Sequence, residues 1–279
     1  MPRANMPQEQ PDSLPLSKSG RTALDVAIEA AGLAGQIIVD RFETTLDIRF
    51  KGRADIVTDV DLAAEKAILE LLRGEFPEFG VLAEESAPID SNSGYTWVVD
   101  PLDGTRNYAN GIPHFCTVVA LAKGAGIVLG ITYDPVRNER FVAEAGKGAT
   151  LNDTAISVTD AQEVSQAAIC FDLGYVDEKA GLALDMIRSL WPNVRSLRLM
   201  GSSALGIAYA AAGRVDMYFH HALSPWDIAS GLLLVREAGG IVVDRQGNTA
   251  ELHTPSIIAA NPTLVDDFLK TTEGLPWRE

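Results

Sequence analysis

The nine residues from Trp97 to Thr105, Trp-Val-Val-Asp-Pro-Leu-Asp-Gly-Thr, restrict the possible folds more than any other stretch of this 279-residue chain. Trp97, Val98 and Val99 read as the apolar end of a central strand, and Pro101 keeps Asp100 out of helical geometry and holds it extended. The chain is then expected to turn at Gly104. Asp100, Asp103, the Leu102 carbonyl and the amides of a short helix opening at Gly104 and Thr105 can then face one small volume. The same residues admit a purely stabilising reading, with Asp100 as a helix N-cap, Pro101 as the first helical residue and Asp103 as an acid favoured by the helix dipole. The acids elsewhere in the chain decide between the two.

Helical spacing of Leu24, Ile28, Ala31, Ile38 and Phe42 predicts an amphipathic helix over 22–42. A second is predicted over 61–73, with Asp59 and Asp61 at its entrance, where capping is their bland role. Strands are expected near 79–83, 96–100, 115–122, 127–133 and 140–143, making a largely antiparallel sheet. After about Thr159 strands and helices alternate: strands at 167–171, 195–200, 214–219 and near Ile241 and Ile257, and helices at 178–190, 202–212, 226–238 and from Leu264. The expected organisation is a disordered, proline-containing tail over 1–20, an α+β half over 21–158 and an α/β half over 159–279.

A hydrophobic content of 47% suffices for a substantial core. The formal charge of −15 argues against a surface that grips nucleic acid or anionic membranes, because that binding relies on Lys and Arg displacing counterions. Cations are the natural partners, and a bound divalent metal would let such a chain take an anionic substrate. Cys116 and Cys170 lack zinc-ligand spacing and lie in apolar runs, so both are expected in the core. No stretch reaches the roughly 18 apolar residues of a membrane span and the first residues lack the apolar segment of a signal peptide, so a cytoplasmic location is expected.

Four separated places put acids at the ends of predicted elements: Asp61, Glu84 with Glu85, Asp100 with Asp103, and Asp227. Gathered along one crevice they repel unless a hard cation is present, and oxygen-only ligation points to Mg2+. Phosphate monoester hydrolysis suits such a site. Its acceleration can approach ~10²¹, general acid-base catalysis supplies only ~10² to 10⁴, and paired metals supply what is missing.

The stretch Trp97 to Tyr108 resembles the first signature of the inositol monophosphatase family, and Trp226 to Gly240 resembles the second. Asp-Ile-Val-Thr-Asp-Val-Asp at 55–61, Ala-Glu-Glu-Ser at 83–86 and Gly-Ser-Ser-Ala at 201–204 fall in the family's order. The resemblance implies a layered αβαβα sandwich of the sugar phosphatase type, commonly a homodimer, with two or three Mg2+ per site and inhibition by Li+. It further implies that Glu84, Asp100 and the Leu102 carbonyl hold one Mg2+, and that Asp100, Asp103 and Asp227 hold a second. Asp61 and Thr105 would orient and deprotonate the attacking water, with Glu84 beside a third, weaker ion. Asp103, Gly104, Thr105, Gly201, Ser202, His220 and Asp227 would meet the substrate, with no covalent intermediate.

One position departs from the pattern. Inositol phosphatases usually carry an acid seven residues before the second-signature aspartate, where this chain has His220, a group able to donate as well as accept and to carry charge. Inositol-1-phosphate, fructose-1,6-bisphosphate, histidinol phosphate and a 3′(2′),5′-bisphosphate nucleotide therefore compete as substrates. The Gly-Arg-Val-Asp stretch at 213–216 looks more like the bacterial inositol phosphatases. His220 and His221 are not expected to share a metal, since consecutive strand residues point to opposite faces. Arg106 is expected at the surface, and Lys51 and Arg53 on a mobile loop over the site. A non-catalytic metal-binding or regulatory protein is the competing class of function. Against it, a chain freed from catalysis has no physical reason to keep so many mutually repelling acids together.

Overall fold

The computed structural model describes residues 13–52 and 55–279. Along them run α1 (Ala23–Arg41), β1 (Ile48–Phe50), β2 (Ile56–Thr58), α2 (Asp59–Glu75), β3 (Gly80–Ala83), β4 (Tyr95–Asp103), α3 (Thr105–Ala109), β5 (Cys116–Lys123), β6 (Gly126–Asp134), β7 (Glu139–Glu144), β8 (Gly148–Leu151) and β9 (Thr154–Ala155). There follow β10 (Ala168–Phe171), α4 (Asp177–Leu190), β11 (Ser196–Arg198), α5 (Ser203–Ala211), β12 (Met217–His220), α6 (Pro225–Glu237), β13 (Ile241–Val243), β14 (Ile257–Ala260) and α7 (Pro262–Thr271).

Strands β3 to β9 form a seven-stranded sheet in sequence order, antiparallel throughout except for the parallel pair β3 and β4. A five-stranded sheet has the order β11-β10-β12-β14-β13, with the first three parallel. Period-two alternation divides each sheet between two cores. Trp97, Val99, Val119 and Leu121 pack under α1 and α2, whereas Val98, Val118 and Ala120 face the layer formed by α5 and α6. That layer also covers Cys170, Tyr218, Ile257 and Ala259 of the second sheet. Ile169, Phe171, Met217 and Phe219 on its far face pack against α4 and α7. The result is the five-layer αβαβα sandwich, with both free cysteines buried as expected.

Close approach fixes the middle layer. A Cβ on Gly130 of β6 would lie 2.8 Å from Ser230 Cα, so α6 rests directly on the sheet, and the Ser230 and Thr132 hydroxyls are 2.7 Å apart at the contact. Helix α6 is all but enclosed between the sheets, which is why its apolar residues run round the helix instead of along one stripe.

Three features differ from the sequence expectations. The hairpin β1–β2 and the short strands β8 and β9 were hidden in stretches too short for a periodic signal. The expected disordered tail falls on residues 1–12, outside the described residues, and on 13–20, which are ordered. There, Leu14 packs on the first core, Ser17 is buried, and the Lys18 amide donates to the Glu75 carbonyl at 2.8 Å. No helix among the described residues is long and apolar enough to cross a membrane.

Candidate metal centre

Strands β3 and β4 run parallel with Ala83 beside Val99, so the next residues, Glu84 and Asp100, emerge side by side at their C-terminal ends. Asp100 therefore lies in a strand, and its reading as a helix N-cap fails. In a regular strand Asp103, three residues on, would point to the opposite face. Pairing with β5 shifts register at this point, Asp100 opposite Val118 and Asp103 opposite Cys116, so β4 carries one extra residue. That bulge resets the alternation and turns both carboxylates to the same side. It is pinned by the Leu102 amide donating to Asp100 Oδ1 at 3.0 Å and the Thr117 hydroxyl donating to the Pro101 carbonyl at 2.9 Å. Gly104 then sits at φ 94°, with His114 and Phe115 too close for a side chain, and α3 begins.

Asp227 arrives from the middle layer, in the first turn of α6, with its Oδ2 accepting from the Ser224 amide at 2.7 Å. One oxygen each of Asp100, Asp103 and Asp227 lies within 4.8 Å of the other two. Oxygens around an octahedral Mg2+ stand about 3 Å apart when adjacent and about 4.2 Å when opposite, at ligand distances of ~2.1 Å, so a small inward adjustment would close the set. Glu84, Asp103 and Asp227 crowd Asp100 closely enough to raise its carboxyl, and carboxylates so crowded call for a shared proton or a cation. Burial first, then repulsion from its neighbours, holds Asp100 and Asp227 well above the usual carboxylate range. Glu84 is pushed up to about 7 by burial, against the opposing pull of Lys51. Buried, all-oxygen and short of positive charge, the donor set fits a hard divalent cation.

Asp103 is pushed up by burial but held by donors from across the molecule. The Ser202 hydroxyl and the Ala204 amide (3.1 Å) reach Oδ2, Cys116 Sγ lies 3.7 Å from it, and the Ser203 amide reaches Oδ1 at 3.2 Å. Helix α5 thus receives its N-terminal acceptor from another sheet. Gly201 precedes this cluster at φ 81°, against Asn107.

Asp61 faces two ways. Its Oδ2 accepts from the Thr58 amide at 2.9 Å and from the Thr58 hydroxyl, closing a capping box on α2. Its Oδ1 lies 3.0 Å from the Thr105 hydroxyl, which is also 2.9 Å from the Leu102 carbonyl oxygen. The single Thr105 proton can serve one of them at a time. Burial raises the Asp61 carboxyl above its ordinary value. Asp59, by contrast, is tied to Arg41 at 2.7 Å and to the Asp47 amide at 3.0 Å, a structural bond only.

Lys51, in the bend that follows β1, places Nζ 3.0 Å from Glu84 and 2.5 Å from Glu85, so the loop expected over the site touches a candidate ligand. Arg53 lies outside the described residues. Arg106 is exposed. His220 and His221 do not diverge: β12 ends at His220, and the rings stack 5.1 Å apart at 14°. Alternation fails beyond the strand end. His220 Nδ1 accepts from the Ala222 amide at 3.0 Å, and burial pushes the ring down to about 3, so the charged form is excluded near neutrality. Sequence reasoning missed Glu65, one helical turn beyond Asp61 and buried, whose Oε2 accepts from the Glu85 amide at 2.8 Å while Oε1 takes the Ser86 hydroxyl. An acid at i+4 from Asp61 on an otherwise apolar face was the available signal.

Residues 20–274 match the sequence model of the inositol monophosphatase family. The chain is 37% identical over 250 residues, 88% of its length, to 94% of a Pasteurella multocida protein described as Nus factor SuhB. It is 38% identical over 256 residues, 88% of its length, to 95% of inositol monophosphatase 3 of Solanum lycopersicum. Among solved structures, the extragenic suppressor protein suhB of Bartonella henselae superposes with a TM-score of 0.86 at 36% identity, covering 90% of this chain and 98% of that one.

Proposed function

The chain belongs to the inositol monophosphatase family, and we propose that it is a Mg2+-dependent phosphomonoesterase acting on a small sugar or polyol phosphate such as inositol-1-phosphate. The observation that carries this reading is the meeting of Asp100, Asp103 and Asp227 around one point beside the Asp61–Thr105 pair.

Glu84, Asp100 and the Leu102 carbonyl would hold one ion, Asp100, Asp103 and Asp227 a second, and Glu84 a weaker third. Bound Mg2+ lowers the pKa of water and offsets charge on phosphoryl and leaving oxygens. Asp61 supplies the base: burial raises its affinity for a proton, and Oδ1 faces the Thr105 hydroxyl that orients the attacking water. With the Leu102 carbonyl engaged elsewhere, the Thr105 proton belongs to Asp61 and its lone pairs face the water. The Gly104 and Thr105 amides at the start of α3 would take phosphate oxygens, and Gly201 and Ser202 would border the substrate beside α5. His220, locked as the Nε2–H tautomer by the Ala222 amide, would donate to a substrate oxygen where an acid would have accepted from a hydroxyl.

We further propose a cytoplasmic homodimer, inhibited by Li+, that binds neither membrane nor nucleic acid; the charge of −15 supports the last point. Phosphate release from inositol-1-phosphate, fructose-1,6-bisphosphate, histidinol phosphate and a 3′,5′-bisphosphate nucleotide, with and without Mg2+, tests the reading and ranks the substrates. Turnover should require Mg2+ and should fall at least about 100-fold in Asp100→Asn and Asp227→Asn. Wild-type turnover in either variant would reject these aspartates as the ligands of a catalytic metal, and no turnover on any substrate would leave a non-catalytic metal-binding protein as the better description.

A further inference from the structure

We propose that Asp172 is a positioning residue for Asp103, fixing from the five-stranded sheet the turn whose donors aim that carboxylate at the metal centre. The inference rests on the reading of Asp103 as a Mg2+ ligand.

Asp172 follows the last residue of β10, is 5% exposed, and spends its carboxylate on one turn. Oδ1 accepts from the Met200 amide at 3.0 Å and the Gly201 amide at 2.6 Å, and Oδ2 lies 3.2 Å from the Tyr218 hydroxyl. From the other side Asn107, in α3, donates to the Met200 carbonyl at 2.8 Å. Gly201 adopts a left-handed φ of 81° between the two clamps, with Asn107 Nδ2 3.0 Å from where a side chain would start. The next three residues, Ser202, Ser203 and Ala204, all donate to Asp103. Two acids from different sheets therefore bracket one turn, Asp172 taking the amides of 200 and 201 and Asp103 those of 203 and 204.

Burying a second acid so near Asp103 is unfavourable. Burial pushes the Asp172 carboxyl up to about 6 although three donors oppose it, and the charge of Asp103 adds to the rise. The side chain supplies one oxygen that takes two successive amides and so sets the direction in which the next three donors leave the turn. Released from Asp172, the 200–204 turn would hold Asp103 less firmly, and the ligand would have to be ordered by the ion itself.

The test is calorimetric titration of Mg2+ into the intact wild type, Asp172→Asn, Asp172→Ala and Asp103→Asn, with kcat, KM and melting temperature measured alongside. Asp172→Asn keeps an amide oxygen for both backbone donors and should bind Mg2+ within about threefold of wild type. Asp172→Ala should bind about 10-fold more weakly, the usual size of a lost ligand-orienting contact, and should need correspondingly more Mg2+ for half-maximal turnover. If the alanine variant does not fold, Asp172→Ser, too short to span both amides, carries the same expectation. Unchanged Mg2+ affinity in a folded Ala or Ser variant, with only the melting temperature lowered, overturns the proposal. A wild type that binds no Mg2+, or Asp103→Asn binding as tightly as wild type, overturns the metal-centre reading and this inference with it.

Discussion

Asp61 makes two kinds of contact at once: Oδ2 closes the capping box of α2 while Oδ1 faces Thr105, and the proposed reaction uses only the second. Thr105→Ala should therefore lower kcat by about 10²-fold, the scale of a positioned acid-base contribution, with little loss of stability, whereas Asp61→Ala should also lower the melting temperature through the lost cap. Steady-state kinetics beside thermal unfolding separates the two, and equal melting temperatures would contradict the capping role. Glu65 gives a second residue-scale prediction. Without its carboxylate the Glu84–Ser86 turn loses two anchors, so Glu65→Ala should raise the Mg2+ concentration for half-maximal activity about 10-fold, and Glu65→Gln by less. A larger loss in the glutamine variant would count against a positioning role.

At the scale of elements, the sequence patterns located nearly every long helix and strand, α6 for instance being expected at 226–238 and found at Pro225–Glu237. Local chemistry made Asp100 and Asp103 conspicuous. The device that brings them together was not legible, because Pro101 announces an extended residue but not the extra one that makes a bulge. The contacts of Asp103 with Ser202 to Ala204 were equally silent, since they join residues about a hundred apart through tertiary packing. His221 was misjudged because strand alternation was carried one residue past the end of β12. The delivery of Asp227 depends on how closely α6 lies on β6. Gly130→Ala would place a Cβ 2.8 Å from Ser230 Cα and push the helix outward. It should cost about 1–3 kcal/mol of stability and weaken Mg2+ binding, which melting and titration together would reveal. Lost stability with unchanged Mg2+ affinity would show that α6 can move without moving its aspartate.

For the whole molecule, the acid cluster has a thermodynamic signature. The carboxyls of Glu84, Asp100, Asp103 and Asp227 all lie above their ordinary values, Glu84 at about 7, with burial the largest cause. Such groups hold protons that the unfolded chain releases. The stability they contribute is full below the ordinary carboxylate range and is lost as pH rises through the folded values. The buried imidazoles act oppositely: His114, His220 and His221 are pushed down to between about 3 and about 4, so they favour the folded state increasingly as pH climbs towards 6.5. Above 6.5 their contribution is constant. From pH 6.5 to 8 the metal-free protein should therefore lose melting temperature, and saturating Mg2+, which binds the deprotonated acids, should abolish the loss. A flat metal-free profile over that window would mean that the cluster is already relieved of its repulsion.

The layered fold matters because it brings the acids at the β3–β4 end of one sheet together with Asp227 from the helix layer packed on that sheet. An anomalous difference map from crystals soaked in Mn2+, a readily detected substitute for Mg2+, tests that assembly most directly. The predicted result is density bounded by Asp100, Asp103 and Asp227, with a second peak towards Glu84 and the Leu102 carbonyl. An occupied ion elsewhere with this cluster empty, or no ordered ion at saturating Mn2+, would contradict it.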